Sequence, residues 1–294
     1  MKILVTGSNG LLGQKIVKQL NQKSIIFLAT SKGENRNSNC KDQNYYTLDI
    51  TDQLAVEDII SKFKPTHIIN TAAITNVDYC EDHQDLCKKV NVNAVNILFD
   101  ICKKNQIHFI HLSTDFVFDG TSGPYKETDQ PNPLSVYAKS KYESEQILIN
   151  SDYQNWAILR TIIVYGEGEN LSRSNIVLWA KSALELNQPL TIVDDQYRAP
   201  TWADDLAWAC IQVAKKSVKG IYHISGPKTM SIYELVLEIA DFYQFDKSLV
   251  QPIKSNALNQ KAPRPPKTGF ILNKAQKELG YNPLSLRETL KLLS

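Results

Sequence analysis

No apolar run in this 294-residue chain approaches the roughly 20 residues that a membrane-spanning helix requires. Nor is there an excess of charge of either sign. Lys and Arg number 33, Asp and Glu 31, for a net charge of +2, so no dedicated nucleic-acid binder is expected. The five cysteines (40, 80, 87, 102, 210) form no C-x-x-C pair and no metal-ligand spacing. An odd, scattered set implies reduced thiols in a cytoplasmic protein, with no metal. Met1-Lys-Ile-Leu-Val5 has the look of a secretory leader for five residues only, with no small-residue cleavage site after it. Glycine is scarce, at 12 residues, yet three of the 12 fall within the first thirteen positions.

Those thirteen residues carry the strongest signal. Ile3–Val5 reads as a buried strand, glycines follow at 7, 10 and 13, and Leu11, Leu12, Ile16, Val17 and Leu20 recur at helical spacing. Strand, Gly-rich turn and helix in succession point to a dinucleotide site. Gly7 permits the tight turn, Gly10 lets backbone approach a pyrophosphate, and Gly13 lets the helix pack on the strand. The helix N-terminus offers free N–H groups to phosphate. The alternative is a tight turn with no ligand.

The β-α alternation continues. Strands are expected at 25–29, 45–48, 67–73, 107–113 and 156–160, and helices at 52–63, 85–104 and 136–150. This pattern, with 43% hydrophobic and 22% charged residues, implies an α/β fold: a doubly wound parallel sheet of the Rossmann kind. Beyond about 166 the pattern loosens into helices at 175–186, 202–215 and 231–243 and strands at 190–193 and 221–224. Glu234, three residues after Ser231, completes a capping box. Residues 1–165 are expected to hold the cofactor, and 166–294 to complete the sheet and form a small C-terminal substrate lobe.

Tyr137 and Lys141 are spaced i, i+4 on the helix that follows the fifth strand, so phenol and ammonium share a face. A nearby ammonium is expected to lower the phenol pKa from about 10. Ser113 and Thr114 end that strand, where a substrate carbonyl would lie, and a hydroxyl there can bond its oxygen while the tyrosine protonates it. Tyr243 and Lys247 repeat the spacing outside such a context and read as accidental. His108, His111 and His223 fall within strand patterns and read as core or edge residues rather than ligands.

Together these residues resemble the extended, sugar-nucleotide branch of the short-chain dehydrogenase/reductases, and within it the dTDP-4-dehydrorhamnose reductase family. The resemblance spans essentially the whole chain. It rests on Val5–Gly13, Asn70–Asp78, Leu112–Gly120, Pro133–Tyr137 with Lys141, Leu159–Thr161, Asp195–Thr201 and Arg264-Pro265. The Ser-Thr-Asp-x-Val-Phe-Asp-Gly run is the most specific of these. The resemblance implies NADPH-dependent reduction of a 4-keto nucleotide sugar, with Thr114, Tyr137 and Lys141 as the catalytic set. It implies cofactor contacts at Gly7, Asn9, Gly10, Leu11, Leu12, Ala72 and Ala73 besides Tyr137 and Lys141. Substrate contacts would come from Asp78, Ser113, Thr114, Asp115, Arg198 and Arg264, with a homodimer left open.

The chain departs from the family pattern at Ile163, where a tryptophan is usual, at Arg198, where glycine is usual, and at Gln14-Lys15, where some relatives carry the acid of a metal-bridged dimer. Cofactor choice is argued locally. The second strand ends in Thr30-Ser31-Lys32 with Arg36 soon after, rather than in an acid. Hydroxyl and cations suit a 2′-phosphate, so NADP(H) is favoured over NAD(H). Asp49 and Ile50 are placed to contact adenine, and Asn70–Ala73 to line the cofactor channel. Arg264 and Lys267 could hold a diphosphate, the alternative being a solvated loop stiffened by Pro263, Pro265 and Pro266. Two rivals remain: an epimerase of the same superfamily, and an NADP-binding regulatory subunit like that of methionine adenosyltransferase. A dehydratase is disfavoured because Phe116 follows Asp115.

Overall fold

The computed structural model describes residues 1–293. Six strands arise where the apolar runs predict them: β1 (Lys2–Thr6), β2 (Ile26–Ser31), β3 (Tyr45–Thr47), β4 (His67–Asn70), β5 (His108–Thr114) and β6 (Trp156–Thr161). A seventh, Gly220–Ile224, joins from the distal half. The order across the sheet is 220–224, β6, β5, β4, β1, β2, β3, and every pairing is parallel. The order reverses at β1, so the crevice between β1 and β4 opens at the carboxyl ends of the strands.

Period-two alternation feeds both faces of the sheet. Ile3 and Val5 point into one core with Ile16, Val17 and Leu20 of α1 (Leu11–Gln22) and with Leu206 and Cys210 of α8 (Ala203–Lys216). Leu4, Ile68 and Phe109 point into the other, with Val56 and Ile60 of α2 (Gln53–Phe63) and Leu98 and Phe99 of α5 (Ala94–Asn105). A third cluster lies wholly beyond the sixth strand. It gathers Tyr165, Trp202, α7 (Ile176–Glu185), α9 (Ile232–Tyr243) and α11 (Leu286–Leu290). Helix α10 (Asn273–Leu279) lies along the edge strand 220–224.

Local signals are honoured at the caps. Asp52 accepts from Ala55 N at 3.1 Å, and Ser231 and Glu234 form both bonds of the capping box. The helix expected over 85–104 is not one regular helix. A short α3 (Val77–Asp82) comes first, then α4 (Gln84–Lys88), a π-helical turn over 89–93, and α5. Asn91 supplies the reason. Its side chain accepts from Ile74 N at 2.8 Å and donates to Ile74 O at 3.0 Å, and meeting that loop requires the extra residue in the turn. A further helix, α6 (Val136–Ile149), starts at Ser135, which caps Ala138 N at 3.2 Å. Among the described residues no helix is long and apolar enough to cross a membrane, and no cluster of three potential metal ligands is found.

Candidate active site

The turn after β1 is built for close approach. Gly7 has φ +71°, and a Cβ there would lie 2.7 Å from both Ala72 N and Thr71 Oγ1. At Gly13 a Cβ would lie 2.4 Å from Gly7 O, so this glycine seats the helix on the turn. Gly10 differs: φ is −78° and the one near atom is Gly7 O at 3.3 Å. No side chain caps α1, which leaves the first-turn N–H groups, those of Leu11 and Leu12 among them, to an anionic ligand or water. Two buried hydroxyls near this crevice, Ser8 Oγ and Ser113 Oγ, have no partner. An uncapped helix end, a glycine cradle and orphaned hydroxyls fit a dinucleotide.

The side chain expected to contact that cofactor at position 9 is otherwise engaged. Asn9 donates to Glu34 O at 2.8 Å and accepts from Arg36 N at 3.0 Å, tying the turn to the loop after β2. In that loop Lys32 and Arg36 are exposed, and Ser31 is half-buried. Lys32 Nζ lies 3.0 Å from Asp49 Oδ2, so two expected cofactor residues meet each other. Ile50 is buried, while Ala72 and Ala73 are half-buried along the channel after β4.

Thr114 ends β5, and Tyr137 sits in the first turn of α6, where its phenol faces the Thr114 hydroxyl. Phe116 N donates to Thr114 Oγ1 at 3.2 Å, and Thr114 in turn donates to Asp115 Oδ1 at 3.1 Å. The expected depression of the Tyr137 pKa is not what the structure gives. Burial pushes the phenol up, the Asp115 carboxylate adds to that, and the facing Thr114 hydroxyl offsets only part of it. Lys141 does share the helix face, but its Nζ reaches His111 Nε2 at 3.1 Å instead of the phenol. Burial also lowers Lys141, to about 8.

On the substrate side the expected residues divide. Asp78, in α3, accepts from Arg264 Nη2 at 2.7 Å and from Ala262 N at 3.1 Å. The Arg264 guanidinium beside it holds the Asp78 carboxyl below the usual range. Lys267 is exposed on the same Pro-rich strap. Arg198 and Asp115 are not poised for a ligand. Arg198 is 2% exposed and spends its guanidinium on Tyr197 O and Pro265 O, both at 2.7 Å. Asp115 is likewise buried, accepting from Thr114 and Thr268, with Arg198 Nε 3.8 Å away. The residue that replaces the usual glycine is thus a tie that fastens the strap across the site.

Sequence reasoning missed the roles of four residues. Glu145 is fully buried and bidentate to Arg160, at 2.9 and 2.6 Å, which anchors α6 to β6. His111, read as a core or edge residue, is the hydrogen-bond partner of Lys141. The period-two set Phe109, His111, Ser113 on the face that α6 covers carried that signal. Cys80 and Cys87 pack together with Tyr137, a neighbourhood their sequence spacing does not reveal.

The family model described as "RmlD substrate binding domain" matches residues 1–293. The chain is 34% identical to a dTDP-4-dehydrorhamnose reductase of Aggregatibacter actinomycetemcomitans, covering 99% of this chain and 97% of that protein. It is 32% identical to methionine adenosyltransferase 2 subunit beta of Xenopus laevis, over 90% of this chain and 78% of that protein. Among solved structures, a dTDP-4-dehydrorhamnose reductase of Clostridium acetobutylicum superposes with a TM-score of 0.87 at 31% identity, covering 99% and 98% of the two chains.

Proposed function

The chain belongs to the RmlD substrate binding domain family, that of the dTDP-4-dehydrorhamnose reductases, and on that premise we propose that it reduces the 4-keto group of a dTDP-linked 6-deoxyhexose with NADPH. It is an NAD(P)H-dependent oxidoreductase of the sugar-nucleotide reductase class. The observation that carries the finer reading is the buried Tyr137 phenol facing the Thr114 hydroxyl at the end of β5, with Lys141 buried one turn further along α6.

In this reading residues 1–165 hold the cofactor and 166–294 shape the sugar end. The α1 N-terminus takes the pyrophosphate, while Ser31, Lys32 and Arg36 take the 2′-phosphate. Bound nicotinamide supplies a hydride to the sugar carbonyl carbon. Tyr137, kept protonated by burial, gives its proton to the oxygen as charge develops there. Thr114, facing the phenol, orients the carbonyl oxygen beside it. Lys141 and the α6 N-terminus then stabilise the phenolate left behind. Arg264, paired with Asp78 here, is the cation on hand for the diphosphate.

The experiment is NADPH oxidation against a panel of nucleotide-linked 4-keto sugars, with NADH in parallel. Turnover of the dTDP-linked ketosugar alone supports the reading, and turnover of none refutes it. The likeness to the methionine adenosyltransferase beta subunits favours a second reading, a cofactor-binding regulatory subunit. That reading predicts tight NADPH binding with no turnover on any panel member.

A further inference from the structure

Lys141 is 3% exposed, yet no ion pair among the described residues includes it. The one acid on its helix near enough to serve, Glu145, gives both oxygens to Arg160. Its Nζ has a single hydrogen-bond partner among the described residues, His111 Nε2. His111 is in turn the end of a polar row crossing the sheet. Thr6 pairs in register with Asn70, and Asn70 with His111. Thr6 Oγ1 lies 2.6 Å from Asn70 Oδ1, and Asn70 Nδ2 lies 3.2 Å from His111 Nδ1. Ser144 Oγ lies 3.0 Å from Nε2 and donates to Lys141 O at 2.6 Å. The row therefore starts one residue before Gly7 and ends on the catalytic lysine.

We propose that His111 is a positioning residue for the reduction: its imidazole fixes the Lys141 nitrogen without neutralising it. The proposal deepens the reductase reading and rests on it for its place in the reaction. A carboxylate at this spot would also hold Lys141, but would cancel the charge that the phenolate needs. Burial keeps His111 far below its ordinary range and therefore neutral. A neutral imidazole has one N–H and one bare nitrogen. An ammonium at Lys141 donates to bare Nε2, with the ring proton on Nδ1. A neutral amine accepts from Nε2–H, with Nδ1 bare. The Asn70 amide can present either its oxygen or its nitrogen to Nδ1, so the row serves both states of the lysine. The other titratable groups facing Lys141 are Glu145, already paired, and Cys87 of α4.

The test reads Lys141 directly in the cofactor-free chain, by NMR of lysine labelled at Cε, with Lys141→Met assigning the signal. Wild type should titrate near the value of about 8 that burial imposes. His111→Glu supplies a counter-ion and should raise that midpoint by more than about one unit. His111→Phe should lower it, and should cut turnover roughly tenfold with the sugar KM unchanged. His111→Gln offers an acceptor near the Nε2 position and should recover most of the turnover. A folded His111→Phe with wild-type midpoint and turnover overturns the proposal. If Phe fails to fold, the Glu and Gln variants decide it, and coincident midpoints overturn it. The titration needs no sugar and no cofactor, so a wrong substrate assignment silences the turnover assay alone.

Discussion

The three glycines of the first turn make separable predictions, and the pair Gly10→Val and Gly13→Val tests both the fold and the ligand. At Gly13 a Cβ would lie 2.4 Å from Gly7 O and 2.6 Å from Ser8 Cα, both backbone atoms of the turn. Neither can yield without moving β1 or α1, so overpacking should cost about 3 kcal/mol. With about 2–4 °C per kcal/mol in a chain of this size class, Tm should fall roughly 6–12 °C. At Gly10 the backbone is ordinary and the near contact is one oxygen at 3.3 Å. The cost there is mainly that of valine at an N-cap, about 1 kcal/mol and roughly 2–4 °C. The valine methyls would instead fill the space in front of the uncapped N–H groups. Losing two hydrogen bonds to a charged pyrophosphate, at about 1.5 kcal/mol or more each, should weaken NADPH at least roughly a hundredfold. Thermal melts without ligand and fluorescence titration of NADPH read the two effects apart. If Gly10→Val melts as low as Gly13→Val, or binds NADPH as wild type does, the phosphate assignment is wrong.

Tyr137→Phe should lower turnover by roughly a hundredfold or more and leave NADPH affinity nearly unchanged, while Tyr243→Phe, which loses a bond to Leu290 O, should leave turnover intact. Lys141 is held by burial at about 8, so as pH rises from there toward the roughly 10.4 of an unfolded lysine the folded state sheds its proton first and stability increases. Lys141→Met should abolish that rise between pH 8 and 10, and should make the inactive, cofactor-free variant more stable than wild type at pH 7 by up to about 3 kcal/mol in denaturant melts. Arg160→Ala leaves the fully buried Glu145 without its partner and should cost about 3–5 kcal/mol, and a loss under 1 kcal/mol would show that Glu145 relaxes to solvent. Arg264→Ala should raise the KM for the nucleotide sugar with little change in kcat or Tm, read from initial rates at low salt, because the residue is half-buried on the surface strap and paired through one carboxylate.

What the sequence determined by itself is what nearest neighbours along the chain decide. Apolar runs of three to seven residues, separated by helical periodicity, can only bury both faces as a parallel α/β sheet, and six strands appear within a few residues of where those runs lie. Caps are local too, which is why Asp52 and the Ser231–Glu234 box were legible. Tertiary contact decided the rest. The slip at Asn91 answers to a loop backbone seventeen residues earlier, and periodicity cannot register an extra residue in one turn. Arg198 looks like a ligand-facing cation in the sequence, but burial and the Pro265 carbonyl turn it inward. Spacing put Tyr137 and Lys141 on one helical face. It could not show that a fully buried histidine from the neighbouring strand takes the lysine, nor that burial, with the Asp115 carboxylate nearby, raises the phenol and keeps it protonated. Desolvation and cross-strand register depend on what packs above and beside a residue, and only the folded chain specifies those neighbours.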